Sequence, residues 1–193
     1  MSPQDRFAFI AGSPSLCLVD TLGDRGGAGF ERLQAPEDLM SWLRAANLAA
    51  VEATTATRRS LTAARSLREA IYRCGLAAVI GQPMARADID AINQCAARPP
   101  LRPQLIDHVL VQSGADPLRA ALSTLAADAL NMLGSHLRHR IRICAGCQMM
   151  FLDTSRPGRR RWCSSVSGCG NRAKVRALRA RRRESAAGAS GNG

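Results

Sequence analysis

The sequence predicts a mainly α-helical fold with minor β (α+β), divided between a helical N-terminal domain with short strands and a small cysteine-bearing C-terminal unit. Three observations predict it. Apolar residues recur at steps of three and four through most of the first 137 residues. Four of the seven cysteines fall between Cys144 and Cys169. The charge is also partitioned: residues 1–137 hold 13 Arg against 13 Asp or Glu, and the last 56 residues carry the whole net charge of +12.

The opening stretch mixes apolar runs, Phe7 to Ile10 and Leu16 to Leu22, with Gly, Pro and Ser, which favours short strands or extended segments. Gly26, Gly27 and Gly29 mark a loop. A first helix follows in "APEDLMSWLRAANL", where Pro36 suits the first turn and Glu37 and Asp38 complement the helix dipole. A longer helix is predicted from about Thr55 to Ile80, with Leu61, Ala64, Leu67, Ile71 and Cys74 as its buried stripe and "GQP" at 81–83 as its stop. "ARADIDAINQCAA" predicts a third helix, with Ile89, Ile92 and Ala96 on one face. "LIDHVLVQSG" alternates like a single strand. The clearest helix starts at Asp116, a natural N-cap followed by Pro117, and buries Leu118, Leu122, Leu125, Ala129, Met132 and Leu133.

The first module is therefore expected to span 1–137, a basic unit 138–184, and a small, glycine-rich and disordered tail 185–193. The longest apolar runs are far shorter than the roughly 18 residues that span a bilayer, and the N-terminus lacks a secretory pattern, so a cytoplasmic location is expected. In that reducing setting, clustered cysteines point to metal or catalysis before disulfides.

Within "CAGCQMMFLDTSRPGRRRWCSSVSGCGNR", Cys144 and Cys147 are separated by two residues, Cys147 and Cys163 by fifteen, and Cys163 and Cys169 by five. Two short cysteine loops can turn four thiolates onto one ion, so Cys144, Cys147, Cys163 and Cys169 are expected to hold one structural Zn2+, with no position left open for chemistry. The residues between the loops are expected to form a hairpin turning around Pro157 and Gly158. His136 and His139 are alternative ligands, against a reading as exposed polar residues at a helix end. Cys17, Cys74 and Cys95 lack a matching spacing and read as small buried apolar groups.

After Cys169, "GNRAKVRALRARRRE" predicts a helix capped by Asn171 and running to about Glu184. Arg172, Arg176, Arg179 and Arg183 recur at steps of four, three and four, so they share a face about 16 Å long at roughly 1.5 Å per residue. Val175 and Leu178 are expected to pack back on the zinc unit. With Asn171, Lys174 and a second group, Arg159, Arg160 and Arg161, the four helix arginines form the expected nucleic-acid contact surface. Double-stranded DNA is the expected partner, with RNA or a ribosome-associated role as the alternative, because the few aromatics disfavour stacked single strands. The three histidines, His108, His136 and His139, have no partner at a catalytic spacing, so no enzyme activity is expected.

The segment "RRWCS", "FLDTSR" and "CGNRAKVRALRARRR" resembles the CGNR zinc finger, with Cys169, Gly170, Asn171 and Arg172 as the namesake motif. Upstream, "GSPSLCLVDTL", "EDLMSWLRAANL", "LREAIYRC", "DIDAIN" and "LAADALNML" resemble the ABATE domain of proposed stress-induced bacterial transcription regulators. The resemblance implies a zinc-dependent DNA-binding regulator whose N-terminal domain senses a small-molecule effector or contacts a partner. This chain departs from the pattern at Cys17 and Asp20, and its knuckle spacings of two and five replace the family's frequent four. Asp20, Thr21, Glu31 and Arg68 are the expected polar pocket, with an internal ion pair joining the N-terminal segment to the long helix as the alternative. A homodimer would present two basic helices to a palindromic site.

Overall fold

The computed structural model describes residues 7–49, 55–164 and 168–190, with side chains described as far as Arg182. The elements in order are α1 (Pro14–Val19), β1 (Leu22–Gly23), β2 (Phe30–Glu31), α2 (Pro36–Ala45), α3 (Arg58–Ile80), α4 (Arg86–Ala96), β3 (Arg102–Ile106), β4 (Val109–Ser113), α5 (Pro117–Leu133), a 3-10 turn (His136–Arg140), β5 (Ile141–Ile143), β6 (Met150–Leu152) and α6 (Cys169–Ser190). Helix predominates. The strands form three separate two-stranded antiparallel sheets, β1 with β2, β3 with β4 and β5 with β6.

Helices α3, α4 and α5 pack together, with α1 against α3 and α5, and α2 on the outside of α3. Thr57 caps α3 by accepting from Ser60 N at 3.2 Å, and Gly81 ends it in the left-handed region at φ 71°. The predicted stripe Leu61, Ala64, Leu67, Ile71 and Cys74 is buried throughout. In α5, Asp116 accepts from Arg119 N at 3.2 Å as the expected cap. Burial reaches beyond the predicted face to Ala120, Ala121, Ser123 and Ala126, because small residues on the other faces let α1 and α4 approach closely.

Two expectations are corrected here. The Leu16 region is helical and not extended. Pro14 fits the first turn, and Asp128 of α5 accepts from Ser13 Oγ at 2.5 Å and Ser15 N at 2.9 Å, satisfying the start of a six-residue helix. Every residue from Ser15 to Val19 is buried, so no polar face marks the helical period. The segment 102–113 is a hairpin and not one strand. Asp107 and His108 adopt φ of 47° and 65°, the two-residue turn that suits the twist of a hairpin, without the glycine that usually signals it. Its apolar tip, including Leu105 and Leu110, is exposed.

The C-terminal unit does not hang from a linker. β6 sits against the N-terminal segment, with Leu152 N donating to Ala11 O at 2.7 Å. At Gly12, φ is 81° and a Cβ would lie 2.7 Å from Leu152 O, so glycine is required there. Met150 lies over Gly75 of α3. Ile141, Met150 and Phe151 belong to the same continuous core as α3 and α5. At about 1.5–3 kcal/mol for each large buried side chain, these three alone attach the unit firmly.

Candidate metal centre and nucleic-acid interface

β5 and β6 pair in register Ile141 with Leu152, Arg142 with Phe151 and Ile143 with Met150, and their connecting turn is the first cysteine knuckle. Cys144 N donates to Met149 O and Gln148 N to Cys144 O, closing that turn. The hairpin is thus centred on 144–149, and not around Pro157 and Gly158 as expected. The 153–160 stretch is instead a loop wound on Asp153. That fully buried carboxylate accepts from Ser155 N at 3.0 Å, Ser155 Oγ at 2.6 Å and Arg160 N at 2.8 Å. Burial opposes its charge, but these donors outweigh burial and lower its pKa. Arg140 holds the same loop from outside, donating to Ser155 O at 2.5 Å.

Ala145 N donates to Arg161 O at 3.1 Å, bringing the second pair of cysteines beside the first. The Sγ atoms of Cys144, Cys147, Cys163 and Cys169 all lie within 4.8 Å of one another. The separation is 3.7 Å between Cys147 and Cys163 and 4.0 Å between Cys163 and Cys169. Four sulfurs about 2.3 Å from a central zinc stand about 3.8 Å apart, so the donor set fits one tetrahedral Zn2+. Burial resists ionisation of Cys144, yet N–H groups of Gly146, Cys147 and Cys163 directed at its sulfur prevail and bring it down to about 7. Burial and the neighbouring thiols raise the Cys147 thiol instead. Bound zinc supplies the countercharge and ties both knuckles together as folding energy. The site has four protein ligands and is closed.

Trp162 packs between the knuckles. A Cβ on Gly170 would lie 3.1 Å from the Trp162 ring, so glycine there makes room for the indole, while one on Gly146 would lie 3.1 Å from Cys169 Cβ, so glycine in the first knuckle lets the second close on it. His136 and His139 are exposed and lie outside the thiol cluster. Cys17 and Cys74 are buried and Cys95 partly so, as expected; desolvation pushes the first two thiols up to about 11.

α6 begins at Cys169 itself, with Arg172 N donating to Gly168 O, so Asn171 lies inside the first turn and is not the cap. The helix continues to Ser190, past the expected end at Glu184 and into the stretch expected to be disordered; 191–193 lie outside the described residues. Residues 165–167 of the second knuckle lie outside them too, as does the side chain of Arg183. Lys174, Arg176 and Arg179 are exposed, as are Arg181 and Arg182. Val175 and Leu178 do not pack back: they keep 45% and 44% of their surface, and among the described residues no helix or strand packs extensively along α6.

The arginines expected to act together divide into different roles. Arg172 directs Nη2 to Cys169 Sγ at 3.1 Å. Arg160 turns inward, donating to Cys163 O and lying 5.2 Å over the Phe151 ring, so its guanidinium braces the second knuckle. Arg159 and Arg161 face outward, the latter over Trp162 at 5.7 Å. With Arg142 they surround a cleft of about 430 Å³ floored by Ile143 and Ala145. Sequence reasoning missed Arg140, Arg142 and Asp153 as parts of this frame. The alternation in "RHRIRI" and the Asp of "FLDTSR" were the available signals.

The expected polar pocket is corrected. Arg68 is buried and bidentate to Glu31 at 2.8 Å on both arms, and it donates to Thr21 Oγ1 at 3.1 Å and Glu69 at 2.7 Å. This is the internal ion pair joining the N-terminal hairpin to α3. The cavity that Asp20 lines is about 10 Å³, room for no more than one water.

The model of the ABATE family, described as "Putative stress-induced transcription regulator", matches residues 12–136, and that of the CGNR zinc finger matches 140–182. The chain belongs to the ABATE family, with a CGNR zinc finger at its C-terminal side. No curated protein matches it. Neither matched family is an enzyme family. Among the described residues, no helix is long and apolar enough to cross a membrane.

Proposed function

We propose that this ABATE-family protein is a transcription regulator of the cytoplasm that binds double-stranded DNA through its zinc finger, while residues 1–137 sense a small-molecule effector. The observation that carries the reading is the joining of exposed arginines to a metal frame. Lys174, Arg176, Arg179, Arg181 and Arg182 project from a helix that starts on a ligand cysteine. Arg142, Arg159 and Arg161 line the cleft beside the same frame. A helix about 10–12 Å across fits the major groove, about 12 Å wide, with phosphate contacts on its flanks. Val175 and Leu178, exposed between the arginines, suit the thymine methyls of the groove wall. Within this reading the 138–184 unit is the DNA-binding module, and a homodimer would place two α6 helices on a palindromic site.

Selection of genomic fragments by the zinc-loaded chain, followed by competition with structured RNA, tests the reading. Enrichment of one duplex sequence that RNA does not displace supports it. Preferential retention of RNA moves the function to RNA.

A further inference from the structure

α3, α4 and the first turns of α5 do not close completely against one another. Between them lies a groove of about 510 Å³, on a different face of α3 from the Arg68 ion pair. Leu67 and Leu122 are its buried floor, and Leu118, Cys95, Ala63 and Ala91 form apolar walls. Its rim is cationic. Arg59, Arg98 and Arg119 border it against a single carboxylate, Asp116, which is engaged by Arg119 at 3.2 Å and by the start of α5. Arg59 and Arg98 have no ion-pair partner among the described residues. Ser60, Ser66 and Gln94 add hydrogen-bonding groups at the edge.

An apolar floor under unpaired arginines matches a molecule with an apolar body and one anionic head. Inorganic phosphate would leave the floor empty, and a neutral hydrocarbon would leave the guanidiniums unused. We propose that this groove binds a small amphipathic organic carboxylate, an aliphatic or aryl acid, as the effector of the chain. The effector role rests on the regulator reading above; the binding itself does not. The route from the groove to the finger is short. α3 lines the groove at Leu67 and meets Met150 of the zinc module at Gly75, two turns further on, and α5 runs from Leu122 into the 3-10 turn that opens the zinc module.

The test uses the full zinc-loaded chain titrated with octanoate and 1-naphthoate, with octanol and octylammonium as controls, followed by calorimetry and amide chemical shifts. We expect at least one acid to bind with Kd below about 1 mM and the controls to bind about tenfold or more weaker. Shifts should concentrate at residues 59–67, 91–98 and 116–122. The double variant Arg59→Ala/Arg98→Ala should weaken the acid about tenfold without changing octanol, since it removes only the head-group contacts. Ala63→Trp, an exposed position filling the groove, should block both. Binding of neither acid, equal binding of octanol, or unchanged acid binding in both variants would overturn the proposal. Duplex affinity with and without octanoate is read separately. Groove binding without any DNA binding upholds the groove and removes the regulator reading, and DNA binding with an inert groove does the reverse.

Discussion

Arg172 donates from Nη2 to Sγ of Cys169 at 3.1 Å, so the last residue of the CGNR motif hydrogen-bonds the sulfur of the first. A charged donor on a ligand thiolate stabilises its anionic form and fixes its direction, as outer partners do in metal sites. Its backbone N–H also closes the first turn of α6 on Gly168. The same residue therefore links the metal to the helix that carries the basic face.

Arg172→Ala should lower zinc affinity about tenfold, read by competition with a chromogenic chelator, and Arg172→Lys should restore part of it. Arg176→Ala and Arg179→Ala should leave zinc affinity unchanged, since neither reaches the sulfurs. Equal zinc loss in all three variants would show that the Arg172 contact does not tune the site.

Arg68→Met should destabilise the chain by about 2–4 kcal/mol, because Glu31 and Glu69 would lose their buried partner, although Glu31 keeps 25% of its side-chain surface in water. Burial resists the charge of both glutamates, but bonds from Arg68 and Arg25 prevail and lower them below their ordinary 4.5. Their stabilisation is thus present above about pH 4.5 and is lost as pH falls through the lowered folded values. Denaturant melts at pH 7 and pH 3 should show the Arg68→Met penalty shrinking at the lower pH.

Asp20 has the opposite sign. Desolvation lifts its carboxyl from 3.8 to about 6 against the attraction of Arg32 and Arg25. Folding therefore favours its protonated form, and stability contributed by Asp20 falls as pH rises from about 4 to about 6. This corresponds to no more than about 3 kcal/mol, and partial hydration reduces it to about 1–2. Asp20→Asn should gain that amount in melts at pH 8 and nothing at pH 4.

Gly170→Ala should displace Trp162, whose Cδ1 would stand 3.1 Å from the new methyl, at a cost of about 1 kcal/mol. The readout is a shift in tryptophan emission that Trp42, fully buried elsewhere, does not contribute.

Much of this fold was legible because its helices are amphipathic and capped: α2, α3, α4 and α5 were all marked by periodic apolar residues, with Pro36, Asp116 and Gly81 as punctuation. α1 was not, since burial on all sides erases the period, and the β3–β4 turn was not, since Asp107 and His108 replace the usual glycine. In the zinc module the ligand set was legible from cysteine spacing alone. The division of labour among the arginines was not. Side-chain type predicts affinity for anions, but only the fold shows that Arg160 faces Cys163 O and Val175 faces water.

In the proposed function, zinc holds an arginine surface in the shape that binds duplex DNA. Fluorescence anisotropy of a selected duplex, across a salt series with and without zinc, tests it most directly. The expected log–log salt slope is about −4 to −6 for five to seven neutralised phosphates, with affinity lost on zinc removal and regained on its return. Binding that ignores salt, or that is unchanged in the zinc-free chain, would contradict it.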